Sequence, residues 1–234
     1  MGIRRGPNIV QSGLVLSLDA GNVRSYPGSG TAWRDVSSTG ASGTLTNGAT
    51  YSSANKGVIQ FDGIDDYVRV PDNANLNFGT GDFTVLVWVG GIPSYPGGAK
   101  TIIRKGSRFD GDIAGWGIMW AGSPEDLYFI ISSDSARLEG RTISNGGLNG
   151  WAGHRMLGMQ RTGASWNQIV DTSVTNLGSF SGNVSGTSPV DIAHNSLYGT
   201  YLNNNVAQVL IYNRALTASE ILQNYNMTKS RFGK

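Results

Sequence analysis

The sequence predicts an all-β fold: a jelly-roll sandwich of two antiparallel sheets with one short C-terminal helix. Three observations carry that expectation. Short apolar runs rich in β-branched and aromatic residues recur along the chain, about a dozen in all. The 34 glycines, with many Ser, Thr and Asn, fall between those runs and supply tight turns. One stretch near the end carries helix-start chemistry and a helical apolar stripe.

In chain order, residues 14–18 form the first run and stop at Asp19-Ala20-Gly21-Asn22. Residues 57–61 lead into Asp62-Gly63, and residues 67–70 follow before Pro71. Residues 83–89 are the strongest strand and end at Gly90-Gly91. Residues 101–104, 115–120, 127–132, 154–161, 166–170, 189–193 and 206–212 complete the set. Residues 23–51, rich in Gly, Ser and Thr, read as a long loop that Trp33 and Leu45 anchor to the core. The helix follows the last strand. Thr217 caps it, Glu220 stands in capping-box position, and Ile221, Leu222 and Tyr225 form its stripe. Its expected place is one end of the sandwich.

Residues 83–89 also speak about layers. Phe83, Val85, Val87 and Val89 share one face, and Thr84, Leu86 and Trp88 share the other. Both faces are largely apolar, so the second needs a cover, from a loop of this chain or from a partner. The spacing supports a single domain at residues 13–228, an N-terminal arm at 1–12 and a C-terminal tail at 229–234. The arm, with Arg4, Arg5 and Pro7, is too polar for core and is expected to fray or to order on a neighbouring subunit.

Composition narrows the function. Charged residues make up 15%, below the usual quarter or so, which leaves solubility to neutral polar side chains. Such faces suit sheets that meet sugars or other sheets. A net charge of +2, with basic residues scattered apart from Arg4-Arg5 and Lys229, Arg231 and Lys234, argues against a nucleic-acid surface. With no cysteine there are neither disulfides nor thiolate metal sites. Residues 1–11 lack the apolar segment of an export signal, and no run is long enough to span a bilayer. The expectation is a soluble product made in the cytoplasm.

Candidate chemistry is sparse. The three Glu, at 125, 139 and 220, have no carboxylate at strand spacing, and Glu220 is explained by capping. Asp110 and Asp112 alternate correctly, but Gly111 between them favours a turn over a glycosidase pair. His154 and His194, with Asp191 nearby, have no nucleophile motif beside them. No catalytic residue is assigned, and no cofactor is required. Asp62, Asp65 and Asp66 are calcium candidates, with Asp19 a further one; the competing reading of Asp62-Gly63 is a hairpin turn. For glycan or protein contact the candidates are Trp116 and Trp120, which share a face with Ile118, and Tyr198 and Tyr201 in the Asn-rich segment 195–205. For the two Trp the competing reading is core.

Four stretches resemble a known family. They are Gly13-Leu14-Val15-Leu16-Ser17-Leu18-Asp19-Ala20-Gly21-Asn22, then Phe61-Asp62-Gly63-Ile64-Asp65-Asp66-Tyr67-Val68, then Phe83-Thr84-Val85-Leu86-Val87-Trp88-Val89. The fourth is Ile211-Tyr212-Asn213-Arg214-Ala215-Leu216-Thr217-Ala218-Ser219-Glu220-Ile221. Their order is similar to that of the laminin-G-like, concanavalin-A-like lectin/glucanase jelly rolls, and the two chain ends look like the form found in virion proteins of tailed bacteriophages. Two departures stand out. The family's acidic pair before its last strand is replaced by residues 205–212, which hold no carboxylate, and its WHHVAVTR strand is matched only loosely by residues 151–161. These bear on inherited calcium or ligand binding, not on the fold.

The resemblance implies a non-enzymatic virion protein acting by adhesion, as capsid decoration (cement) or elsewhere on the particle surface. Its partners would be the major capsid protein or other virion proteins, with homo-oligomers on the particle. The alternative is a glycan-binding tail adhesin that recognises host surface polysaccharide. Neither reading involves nucleic acid or membrane insertion.

Overall fold

The computed structural model describes residues 8–91, 99–106, 114–121, 126–133, 137–142, 153–195 and 199–234, with the side chains of 121, 126 and 137–142 left aside. Among these, the first nine strands are β1 (Leu14–Asp19), β2 (Ala32–Trp33), β3 (Gly43–Thr46), β4 (Thr50–Ser52), β5 (Val58–Asp62), β6 (Tyr67–Val70), β7 (Phe83–Val89), β8 (Lys100–Gly106) and β9 (Gly115–Ala121). Then come β10 (Asp126–Ser132), β11 (Arg137–Thr142), β12 (Arg155–Thr162), β13 (Ser165–Val170), β14 (Ser173–Ser179), β15 (Val190–Ile192), β16 (His194–Asn195), β17 (Thr200–Tyr201) and β18 (Asn203–Tyr212). One α-helix, α1 (Ala218–Thr228), follows.

Two antiparallel eight-stranded sheets face each other. The first runs β14-β13-β12-β7-β18-β5-β4, with β1 also on β18; the second runs β11-β10-β9-β8-β15-β6-β3-β2. The ten-residue β18 holds the first sheet together. One edge pairs with β7, and the other pairs first with β5 and then with β1. The fold is the expected jelly-roll sandwich: the apolar runs predict a sandwich or barrel, and the family resemblance implies the jelly-roll form.

Alternation decides what fills the space between the sheets. Phe83, Val85, Val87 and Val89 point inward from β7 and meet Trp116, Ile118 and Trp120 of β9 with Phe129 and Ile131 of β10 in one cluster. Trp33 and Leu45 also join it, so residues 23–51 are more than a loop: they carry β2, β3 and the start of β4.

The outer face of the first sheet has its own apolar layer. Leu86, Trp88, Met156, Leu210 and Tyr212 pack there beneath Val10, Leu216 and Ile221. The cover is neither a loop nor a partner but α1 with both chain ends. α1 therefore lies across the back of the sheet rather than closing an end, because Ile221 and Tyr225 meet the outward residues of β7, β12 and β18, while Leu222 of the expected stripe is exposed. Trp88 stacks on Tyr225 at 5.4 Å and on Phe232 at 4.7 Å.

The two chain ends depart from the expected arm and tail. Residues 8–12 are zipped to the helix rather than frayed. Val10 N donates to Asn224 Oδ1 at 2.9 Å, Tyr212 Oη donates to Val10 O at 3.0 Å, and Asn224 Nδ2 donates to Tyr212 Oη at 3.0 Å. Burial pushes the Tyr212 phenol well above its usual range. Residues 1–7 lie outside the described residues. At the other end, Arg231 pairs with Asp19 at 2.7 Å and donates to Gly57 O at 2.6 Å, while the Phe232 ring lies 4.1 Å from that of His154. Apolar surface on Trp88 and a half-buried carboxylate at Asp19 recruit what reads as a polar tail.

Buried cations staple the loops. Arg161, fully buried on β12, donates to the carbonyls of Gly79 and Gly182 at 2.8 Å each and to Gly81 O, tying together the chain before β7 and the chain after β14. Lys105 likewise donates to Asp72 Oδ1 at 2.5 Å and to Ser188 O at 2.6 Å.

Arg161→Met should strand those carbonyls and cost about 3 kcal/mol or more, a fall of roughly 6–12 °C in Tm. Calorimetric unfolding beside the exposed Arg34→Ala control, expected within about 0.5 kcal/mol of the parent, checks this.

The helix start predicts a pH effect. Thr217 Oγ1 accepts from Glu220 N at 3.3 Å, Glu220 Oε2 accepts from Thr217 N at 2.9 Å, and Arg214 binds the same carboxylate at 2.6 and 2.9 Å. The Arg214 hydrogen bonds, helped by Thr217, lower the Glu220 carboxyl from 4.5 to about 2. The unfolded chain then binds the extra proton between those values, so this contribution is complete above pH 4.5 and is lost as pH falls toward 2. Urea unfolding across that range should show the loss in the parent and a flatter profile in Glu220→Gln.

Candidate functional site

The outward residues of the second sheet form a polar row. In β6, Val68 and Val70 enter the core, which turns Tyr67 and Arg69 outward. Asp191 of β15 sits opposite Arg69 on one side and Arg104 of β8 on the other. Arg69 grips it bidentately, Nε to Oδ1 at 2.8 Å and Nη2 to Oδ2 at 2.9 Å. Arg104 Nη2 approaches at 3.8 Å and His194 Nδ1 at 3.5 Å. At 3.5 Å the histidine contact is at the limit of a hydrogen bond, so the guanidinium of Arg69 is the main counter-charge. Burial alone would raise the Asp191 carboxyl. Hydrogen bonds from His194 and Arg69 and the charges of Arg69 and Arg104 outweigh it and hold the group below its usual range.

Beside this row lies a cluster of three rings. His194 of β16 pairs in register with Tyr201 of β17, and their rings stack at 4.8 Å. The Tyr67 ring lies 4.7 Å from His194 and 6.5 Å from Tyr201. The Arg69 guanidinium sits 5.2 Å from the centre of the Tyr67 ring, within cation–π reach. Tyr67 and Tyr201 are half-buried, while His194 is buried. Ala193, between β15 and β16, adopts φ +69°, a conformation that costs a non-glycine residue about 1–3 kcal/mol. It is held there by Ala193 N to Ile102 O at 3.0 Å and Leu202 N to Ala193 O at 2.9 Å. The strained turn swings His194 out of the strand line and onto the tyrosines. A half-buried aromatic pair with fixed hydrogen-bonding groups at its edge can stack on a sugar ring and orient its hydroxyls.

The Asp-rich turn is a second cluster. Asp62, Asp65 and Asp66 bring one carboxylate oxygen each within 4.8 Å of one another. Asp62 Oδ1 accepts from Ile64 N at 2.8 Å, and Gly63 takes φ +80° where a Cβ would meet that of Asn203 at 2.7 Å, so the expected tight turn is there. Asp66 is buried; its Oδ2 accepts from Asp62 N at 3.1 Å. Burial and the neighbouring Asp62 and Asp65 charges push its carboxyl up, against the pull of that hydrogen bond. The three oxygens suit a hard cation such as calcium.

Other sequence candidates land elsewhere. Trp116 and Trp120 are 0% and 2% exposed and belong to the core, so they offer no face to a ligand. The two Trp do share a face with Ile118, and that face is the inner one. Tyr198, Asp110, Asp112 and Glu125, with the side chain of Glu139, lie outside the described residues. Asp19 is taken up by Arg231, Gln208 Nε2 at 3.0 Å and Gly21 N at 2.8 Å, which give both of its carboxylate oxygens a partner within the chain. His154 precedes β12, with Nε2 2.7 Å from Asn205 Oδ1 on one side and Phe232 on the other; burial pulls its pKa down. His194 lies in β16. Sequence reasoning missed Tyr67 and Arg69. The signal was the alternation of residues 67–70, which puts them on one face.

A groove of about 500 Å³ opens behind the first sheet, where Asn8, Ile9, Asp19, Arg24, Gln208 and Arg231 are among its lining residues. None of the three turn carboxylates lines it.

The family described as the concanavalin A-like lectin/glucanases superfamily matches residues 62–222. No curated protein sequence matches the chain. Among solved structures, the binding domain of Paraclostridial Mosquitocidal Protein 1 is similar, at 16% identity and TM-score 0.69, covering 92% of this chain and 52% of that one. The binding domain of botulinum neurotoxin serotype G reaches TM-score 0.72 at 13% identity, covering 93% and 51%. Trypanosoma rangeli sialidase, in complex with the inhibitor DANA, gives 0.66 at 18%, covering 94% and 34%. The chain thus spans about half of the toxin binding domains and about a third of the sialidase chain, and at such identities the likeness is one of fold. With the family match running from the Asp-rich turn to the helix, the chain belongs to the concanavalin A-like lectin/glucanases superfamily.

Proposed function

We propose that this protein is a non-catalytic adhesion domain that binds carbohydrate at the Tyr67–His194–Tyr201 cluster. The observation that carries the reading is the cluster itself. Two half-buried tyrosines stack on His194, which the strained turn at Ala193 sets between them, beside the Arg69–Asp191 pair. Stacking would supply affinity, and the Arg69 guanidinium, half-exposed and fixed by the buried Asp191, would orient the sugar hydroxyls. One structural relative, the binding domain of botulinum neurotoxin DC, is in complex with SialylT, which supports carbohydrate as the ligand class for a domain of this shape.

Several contacts support adhesion without catalysis. Glu220 is bound up by Arg214 and the helix start, and Asp191 by Arg69. The turn carboxylates sit side by side on one hairpin instead of flanking a cleft, where a glycosidase needs its acid and its nucleophile on either side of the bond. We place the protein on the virion of a tailed bacteriophage, on the strength of the motifs at the two chain ends. There the same outer surfaces would seat it on capsid or tail proteins, and repeated copies would add avidity.

Tyr67→Ala and Tyr201→Ala should each weaken binding on a glycan array of neutral and acidic oligosaccharides by about tenfold, with unchanged circular dichroism. Reducing-sugar assays on the bound glycans should show no turnover. Array binding that both variants leave untouched would remove the cluster from the proposal. A map of the intact particle separates the settings: regularly spaced copies over the head indicate decoration, and a few copies at the tail indicate an adhesin.

A further inference from the structure

Three carboxylates in one five-residue turn are an electrostatic liability. Asp62 and Asp65 are exposed, so water screens part of their repulsion, but Asp66 is only 4% exposed and cannot be screened in the same way. Asp66 also carries an oxygen with nothing to bind. Its Oδ2 accepts from Asp62 N, whereas Oδ1 is sealed from solvent and has no hydrogen-bond partner. Buried acceptors are almost always satisfied by protein, ordered water or an ion, and here the polypeptide supplies no partner. Gly48, at φ +118°, keeps the space beside that oxygen open: a Cβ there would stand 3.2 Å from Oδ1.

We infer that the turn binds a single calcium ion through the carboxylates of Asp62, Asp65 and Asp66. All three donors are hard oxygens and two of them face solvent, so water can complete the six to eight ligands that calcium takes. Magnesium, which demands near-ideal octahedral geometry and keeps its own water, fits a crowded turn less well. The site differs in place from the family's acidic pair before the last strand, a stretch that carries no carboxylate here. It also goes beyond the carbohydrate reading and does not depend on it. The two are nonetheless neighbours, because Asp66 directly precedes Tyr67. A cation at the turn would fix the hairpin from which Tyr67 projects, and Asn47 already steadies the same turn by donating to Asp65 O at 3.1 Å.

Calorimetric titration of the EDTA-stripped full chain with calcium chloride alone tests the inference. One site is expected, with a Kd of about 10⁻⁴–10⁻³ M, the weak end of the calcium range, because few protein ligands come from an exposed turn. In about 10 mM calcium, Tm should rise by roughly 3–11 °C across that Kd range, and magnesium at equal ionic strength should do less. Asp62→Asn combined with Asp65→Asn leaves the buried Asp66 in place, and it should weaken binding at least tenfold and abolish the rise. No heat and no rise in the parent would overturn the inference, as would a response that the double variant retains. So would a double variant that is stabilised without calcium beside a parent that ignores it, since a proton on Asp66 would then be what relieves the repulsion. Glycan binding enters none of these readouts, so the carbohydrate proposal can fail while this one stands.

Discussion

β7 and β18 are apolar on both faces, and that single constraint organises the molecule. A sandwich needs one greasy face per sheet, and the inward residues of the two sheets meet that need. Leu86, Trp88, Leu210 and Tyr212 create a second demand on the outside. A buried tryptophan removes about 150–250 Å² from water, worth roughly 4–6 kcal/mol before entropy, so leaving Trp88 bare is not an option. The chain answers with its own ends. α1, the segment carrying Val10 and the ring of Phe232 converge on this one layer from opposite ends of the sequence. The capping box of α1 and the Tyr212–Asn224–Val10 hydrogen bonds therefore belong to the same device as the core.

That cover makes the two outer surfaces unequal. The first sheet is sealed by helix and chain ends over its middle strands. The second carries charges and rings on its outward row: Tyr67, Arg69, Asp191 and Arg104. Putting a polar row on a sheet is affordable because each charge has an opposite beside it in register, as Asp191 has Arg69. The binding chemistry thus sits where the fold does not need apolar surface.

How much of this could be read from the sequence depended on how local the cause was. The strand alternation in 83–89, the helix cap at Thr217 and Glu220 and the turn at Asp62-Gly63 are decided within a few residues, and the structure matches each. The place of the helix was not legible, because it depends on which distant strands present outward apolar residues. For Trp116 and Trp120 the shared face was visible but the identity of that face was not, since only the pairing of β9 with β8 and β10 sets it inward. Tyr201 was found because its segment stood out, yet its partners were not. Tyr67 lies 134 positions away in sequence, and a positive-φ alanine at 193 carries no sequence signature at all. The short strands β2, β3, β16 and β17 are too brief to show a period.

Neutral polar composition was the weakest of the sequence clues to function, for a physical reason. The abundance of Asn, Ser and Thr suits a sugar-binding surface only where their side chains are free, and here many are spent inside the fold. Asn204 Nδ2 donates to the carbonyls of Gly90 and Gly91 where β7 ends, and Asn205 holds His154. Ser37 and Thr39 are bound to Asp35, and Ser42 accepts from its backbone N–H. A sandwich with so many strand ends leaves a backbone group to satisfy at each one, and small neutral side chains do so without adding charge. The amides of β18 therefore report on strand termination. Recognition has to be argued from rings held in place at a surface, and among the described residues Tyr67 and Tyr201 around His194 meet that description.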